Sequence, residues 1–319
     1  MGRYISKRIL LMIPVLLGVT ILIFTLMYFV PGDVAAIVLG SSSTDVQREA
    51  YRESMGLNEP YIIQLFQYIK NIVTKLDFGT SYIQGISVTT ALLERFPRTL
   101  IIAIGTVIVG FGIGIPLGMV AAVYQDSLVD KFALTVSLVG VSMPQFWLAE
   151  ILIMLFAVQL RWLPSQGMGG IEYQILPCIA NAAAGIAGNV RLTRSSMLEV
   201  IRADYVTTAR SKGVSEFNVL IRHAFPNALI PIVTGVGNCF GAMLGGTLII
   251  ENVFGIPGIG AYMVKAINAR DYTACQGSVI FVAFVFGIVM LLVDLLYAFI
   301  DPRIKAQYEG KKASKKHEE

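Results

Sequence analysis

Apolar and polar positions alternate along this chain in long blocks. Six apolar runs, at residues 9–29, 100–123, 132–160, 175–190, 228–250 and 278–300, approach or exceed the ~20 residues that cross a bilayer's hydrocarbon as a helix. Two polar stretches interrupt them. In the first, residues 31–98, the pattern predicts helices at 45–55 and 60–75, the second with an apolar stripe of Ile62, Leu65, Phe66, Ile69, Ile72, Val73 and Leu76. Packing of that stripe on the chain's own membrane rim is preferred over docking of a partner. In the second, residues 191–227, Ser196 with Glu199 reads as a capping box, and Lys212 followed by Gly213 as a basic last turn and left-handed stop. Met197, Ile201, Tyr205, Ala209 and Gly213 recur every fourth residue, so one face of the expected helix shrinks toward bare backbone. A short second helix from Ser215 to about Ala224 is expected to stop at Pro226.

Composition agrees with this blocking. Of 319 residues 55% are apolar and only 14% charged, where a soluble domain carries about 25%. The mean hydropathy is +0.69. The fold class read from this is an all-α polytopic membrane protein. The net charge of +4 matters less than its placement. Arg3, Lys7 and Arg8 precede the first run, Arg191, Arg194, Arg202, Arg210, Lys212 and Arg222 fall in the second polar stretch, and Arg303, Lys305, Lys311, Lys312, Lys315 and Lys316 crowd the tail. The positive-inside rule then puts both termini and residues 191–227 in the cytoplasm and residues 31–98 outside. The first run is too long for a signal peptide and is expected to stay as a helix. The organisation expected is an N-terminal membrane helix at 1–30, an extracytoplasmic subdomain at 31–98, a five-helix core at 99–300 that contains the cytoplasmic loop 191–227, and a basic tail at 301–319.

Chemistry-bearing residues are sparse. Cys178, Cys239 and Cys275 are odd in number and far apart, and His223 and His317 are the only histidines, so neither a disulfide framework nor a metal site is expected. The phosphate-cradling GxxxxGK[ST] loop is absent, as is a nucleophile constellation, so the chain is not expected to hydrolyse ATP or bind a cofactor itself. Nothing points to nucleic acid. Gly110, Gly114 and Gly118, and again Gly237, Gly241 and Gly245, form ridges that let helices touch closely. Asn181, Asn189, Asn238 and Asp294 lie within apolar runs, where polar groups are costly and face the protein interior or a pathway. Glu251 opens the loop ENVFGIPGIGAYMVKAINARDY, where capping and substrate contact are both open roles.

The second polar stretch resembles the coupling loop, the EAA loop, of membrane subunits of ABC importers. The general pattern falls on Thr207, Thr208, Ala209, Gly213, His223, Phe225 and Pro226, with Ala209, Gly213 and Pro226 matching outright. The peptide and nickel importer branch fits more closely, in DYVTTARSKG from Asp204 to Gly213 and RHAFPNALIP from Arg222 to Pro231. PGD after the first run, MGLNEPYIIQLFQYI, LDFGTS and ERFPRTL are similar to the same branch. The resemblance implies six transmembrane helices in the MetI-like fold of type I importers, with glycines of the fifth run, Gly241 among them, beside the pathway. It implies partners too: a homologous second permease subunit, two ABC ATPase subunits that hold ATP and Mg, and an outer substrate-binding protein, in the bacterial inner membrane among its lipids. Asp204, Tyr205, Thr208, Ala209, Arg210, Lys212, Gly213, His223 and Pro226 would couple to the ATPase, while Asn181, Asn238, Gly241, Glu251 and Asp294 are pathway or structural candidates. The cargo would be dipeptides, oligopeptides or nickel chelates. The rival reading, an ion- or proton-coupled secondary carrier, calls for inverted repeats and a relay of buried acids that the sequence lacks. A purely scaffolding subunit leaves DYVTTARSKG without a purpose.

Overall fold

The computed structural model describes residues 2–40 and 42–300, with side chains except at 2–4, 230, 233–240, 242, 244 and 296–300. The basic tail lies outside the described residues. The chain runs α1 (Gly2–Phe29), α2 (Val34–Leu39), α3 (Asp45–Ser54), α4 (Tyr61–Lys75), α5 (Val88–Val123), α6 (Leu128–Ser142) and α7 (Gln145–Leu152), which continues as a π-helical segment, Ile153–Gln159. Then follow α8 (Glu172–Ile201), α9 (Asp204–Ser211), α10 (Glu216–Asn218), a second π-helical segment Val219–Ala224, α11 (Phe225–Val253), α12 (Ile259–Ala269) and α13 (Tyr272–Ile300). Among the described residues the only β-pairing is an isolated bridge, Thr80 to Ser87.

By length and apolarity α1, α5, α8 and α13 can each cross a membrane, and the bent pair from Leu128 to Gln159 makes a fifth span if taken as one. That pair covers the apolar run expected to span at 132–160, but as a broken helix. Its halves meet at 105°. Pro144 lacks an N–H and bars the preceding residue from the α region, and Met143 accordingly sits extended at φ −84°, ψ 129°. The chain folds as two compact units: one centred on residues 100–256, the other on 7–99 with 257–287.

In the first unit, α5 lies along α8 on its glycine ridge. A Cβ on Gly114 would fall 2.6 Å from the Asn189 Cβ, and one on Gly118 2.7 Å from the Val190 carbonyl oxygen. Only glycine permits this approach, and the ridge serves packing, as its spacing predicted. Asn189 donates to the Gly110 carbonyl at 3.2 Å, which satisfies its buried amide. The C-terminal half of α8 is anchored too: Arg194 makes a two-toothed ion pair with the buried Asp130 of α6, at 2.7 and 2.6 Å. Ser127 caps α6 by accepting from the Asp130 backbone N–H.

In the second unit, α3 opens on a true capping box, Thr44 with Gln47. Helix α4 runs back along α1: Tyr61 meets Tyr28 at 5.1 Å between ring centroids and bonds Thr25 at 2.6 Å, and Tyr68 meets Phe24 at 5.5 Å. Its far end, Ile69 to Leu76, lines an apolar groove of about 450 Å³ with Ile13 to Thr20 of α1 and Ile280 to Phe284 of α13. So α4 descends beside the apolar middle of α1, and the segment 31–98 is not wholly clear of that zone. The stripe divides: Ile72 packs on the unit's core, while Ile62, Phe66, Val73 and Leu76 stay exposed at 66–74%. Asp271 sits nearly buried before α13 and accepts from the Ser81 hydroxyl at 2.5 Å and the Tyr82 and Ala274 N–H groups at 3.3 and 3.2 Å. This carboxylate both caps α13 and holds the turn at 79–85.

Candidate functional site

The stretch with the densest punctuation folds as a helical hairpin at the end of α8. The single helix expected from Ser196 does not form as such. Ser196 is buried inside α8, which continues to Ile201, and the chain breaks at Arg202 and Ala203 before α9 starts at Asp204. The physical reason is burial. Met197 is fully enclosed among Ala122, Val206, Val219 and Ala224, so tertiary packing extends α8 past its capping signal. The break also rotates the face. Val206 and Ala209 turn inward to this core, and Tyr205, Thr208 and Lys212 turn outward. Ala209 is therefore a packing residue, not part of a bare outer surface.

The stop at Gly213 is as expected. Its φ is +76°, a left-handed value favourable to glycine, and open space surrounds its missing Cβ. Gly213 N–H bonds the Arg210 carbonyl at 2.9 Å and Val214 N–H the Ala209 carbonyl at 3.4 Å, the paired bonds of a Schellman turn. Val214 packs on the same core as Ala209. Across this turn Arg210 reaches Glu216 with two bonds, at 3.0 and 2.7 Å. The guanidinium's hydrogen bonds hold the Glu216 carboxyl below the ordinary carboxylate range and raise Arg210. Thr208 bonds the Asp204 carbonyl, which ties the first turn of α9 to its middle.

The helical run that starts after Ser215 does not stop at Pro226. The π-helical segment leads straight into α11, where Pro226 occupies the first turn and needs no N–H partner. His223 and Pro226 are exposed, and Asn227 donates to the His223 carbonyl at 3.1 Å. Phe217 is 73% exposed and Tyr205 44%, two aromatics on the outside of the hairpin. Exposed aromatics on a hairpin with a fixed turn offer a defined surface that a protein partner can grip.

The second set of candidates does not come together as one site. Asn181 is buried in a polar knot of four helices. It donates to Thr106 at 3.2 Å and to the Met243 carbonyl at 3.3 Å, and accepts from Gln145 at 3.5 Å. A Cβ on Gly246 would collide with both amides. Glu251 is fully buried and engaged, and its carbonyl accepts from Ile256 N–H at 2.8 Å, so it belongs to the α11–α12 turn. Gly241 and Asp294 are half-buried, the latter engaged within the protein. The side chain of Asn238 lies outside the described residues. Reading the sequence missed Asp130, Gln145, Thr106 and Asp271. Ser127 at the right distance before Asp130 was the one local signal available.

The comparisons with known proteins accord with this architecture. Residues 114–306 match the family described as the inner membrane component of binding-protein-dependent transport systems, and residues 1–103 match the N-terminal part of such components. A putative peptide transport system permease protein of Brucella abortus (strain 2308) is 41% identical over 96% of this chain and 99% of its own. The dipeptide transport system permease protein DppB of Alkalihalophilus pseudofirmus is 38% identical over 96% and 100%, and the glutathione transport system permease protein GsiC of Escherichia coli (strain K12) 37% over 96% and 99%. Among solved structures, an inward-facing MetNI methionine ABC transporter chain is similar with a TM-score of 0.58 at 15% identity, over 66% of this chain and 96% of that one. The chain belongs to the family of inner membrane components of binding-protein-dependent transport systems and is a permease subunit of an ABC importer.

Proposed function

We propose that this permease imports dipeptides or oligopeptides, and that it is driven through the hairpin from Asp204 to Pro226 by a separate ATPase. The names of its relatives favour peptides over other cargo, nickel chelates included. The observation that carries the coupling role is the fixed, outward turn at Gly213, bracketed by the exposed Tyr205, Thr208 and Lys212 on one side and Phe217 on the other. ATP and Mg bind in the ATPase. A second, homologous permease subunit completes the pathway, and a binding protein delivers cargo from outside. Six crossings with both termini in the cytoplasm put the hairpin on the ATPase side and residues 31–98 toward the binding protein. ATP binding closes the ATPase pair, draws the two hairpins together and rocks the bundles; hydrolysis resets them.

Gly213→Leu tests the coupling. It forces a β-carbon into the left-handed region, a cost of about 1–2 kcal/mol, and places bulk on the turn. The variant permease is expected to reach the membrane, with co-purifying ATPase or cargo-stimulated hydrolysis in liposomes lost. Arg202→Ala, which removes only a bond to Gln125, is expected to retain both. Retention by Gly213→Leu together with loss by Arg202→Ala refutes the proposal.

A further inference from the structure

The second unit contains a cleft of about 470 Å³, within the ordinary range for a small-ligand site, between the polar face of α4, the turn at 79–85 and the start of α13. Its lining holds no Asp, Glu, Lys or Arg. What it holds instead is four side-chain amides, Gln64, Gln67, Asn71 and Gln276, and phenols including Tyr51 and Tyr82. An adjoining pocket of about 220 Å³ shares Gln64, Tyr82 and Gln276 and ends at Asp33 and Arg52. Asp33 takes two bonds from Arg52, at 3.2 and 2.8 Å, and Arg52 reaches Glu49 at 2.9 Å as well, so these charged groups are already engaged with one another.

We infer that this cleft binds the main chain of a peptide in transit. The inference rests on the peptide reading above and extends it to a site. A peptide main chain repeats a neutral donor and a neutral acceptor. A side-chain amide offers one of each, so a row of amides pairs with the chain without choosing among its side chains. Charged lining would instead select particular cargo. Gln64 already donates to the Leu57 and Glu59 carbonyls at 3.0 and 2.7 Å, which fixes its amide and keeps its oxygen as an acceptor. Gln67 and Asn71 lie four residues apart on one face of α4. Burial pushes the phenols of Tyr51 and Tyr82 above the ordinary tyrosine range, so both remain donors at any pH the cell meets. The exposed apolar stripe on the opposite side of α4 explains its amphipathic build: one side toward apolar surroundings, the other toward this cleft.

The test uses the assembled importer in nanodiscs with its binding protein, and benzophenone-labelled tri-alanine as probe. Cross-links are expected on residues 64–71 and 79–85, competed by unlabelled tri-alanine and not by maltotriose. Gln67→Leu and Asn71→Leu are expected to raise the half-saturating concentration for tri-alanine uptake about five- to tenfold each, the effect of one lost hydrogen bond, with ATPase co-purification retained. Thr74→Leu, on α4 outside the cleft, is the control and leaves uptake unchanged. Gln67 is exposed and Asn71 partly so, and retained ATPase co-purification reports that each variant folds and assembles. If tri-alanine is imported but cross-links fall elsewhere, or the variants match wild type, the cleft inference fails and the peptide reading stands. Competition by maltotriose overturns it in favour of a saccharide. If no peptide is bound or imported, the peptide reading itself fails, and the inference with it.

Discussion

The hairpin at Asp204 to Pro226 and helix α4 are both short amphipathic pieces with one face unpartnered in the single chain, yet their outer faces differ in kind. On the hairpin the outer face is polar with two aromatics, and the structure beneath it is fixed by a Schellman turn, a two-toothed ion pair and a shared core. Along α4 the outer face is a row of Ile62, Phe66, Val73 and Leu76. The first suits a water-soluble protein that must push on a defined surface. The second suits acyl chains or a neighbouring membrane helix, where complementarity is loose and apolarity suffices.

That contrast can be broken at its foundations. Asp130→Ala removes the anchor of Arg194, whose side chain keeps only a fifth of its surface exposed, and leaves it facing a nearly buried void. Breaking such a pair costs ~3 kcal/mol, so the folded fraction of purified permease and its melting temperature should drop sharply, with loss of ATPase co-purification as a consequence. An unchanged melting temperature would mean that the base of the hairpin is held by packing alone.

Next in size is Val73→Arg on α4. If that row meets lipid or an apolar neighbour, a charge there costs ~2 kcal/mol and lowers the amount of assembled complex, while Val73→Leu leaves it unchanged. Equal abundance of both would place the face in water and erase the contrast. Smallest is the effect of acid on the hairpin. The folded-state pKa of Glu216 is depressed by Arg210, so the pair's stabilisation is full above the ordinary carboxylate range and fades only as pH falls through the depressed value. Because both side chains are more than a third exposed, the pair is worth less than ~1 kcal/mol. Cargo-stimulated hydrolysis should therefore be flat from pH 6 to 8 with respect to this pair, and Glu216→Gln should change it less than Gly213→Leu.

Much of this was legible in the chain. Apolar blocks of spanning length fixed the class, because hydrocarbon admits backbone only as helix or closed barrel and leaves a compositional trace. Gly213 was legible because a left-handed stop has a local residue preference, and the 110, 114, 118 ridge because four-residue spacing puts glycines on one face. What the sequence misjudged were boundaries set by distant contacts. Met197, enclosed by residues from three other elements, carried α8 through its own capping signal to Ile201, and that one extension turned Ala209 inward. Pro144 was a visible helix breaker that the length of its apolar run outweighed, and the 105° bend there matters because α8 supplies Asn181 to meet Gln145. The amides of α4 read along the chain only as polar punctuation. They became a cleft when α4 folded back along α1 beside residues 79–85 and 273–276, a placement that depends on packing between segments nearly two hundred residues apart.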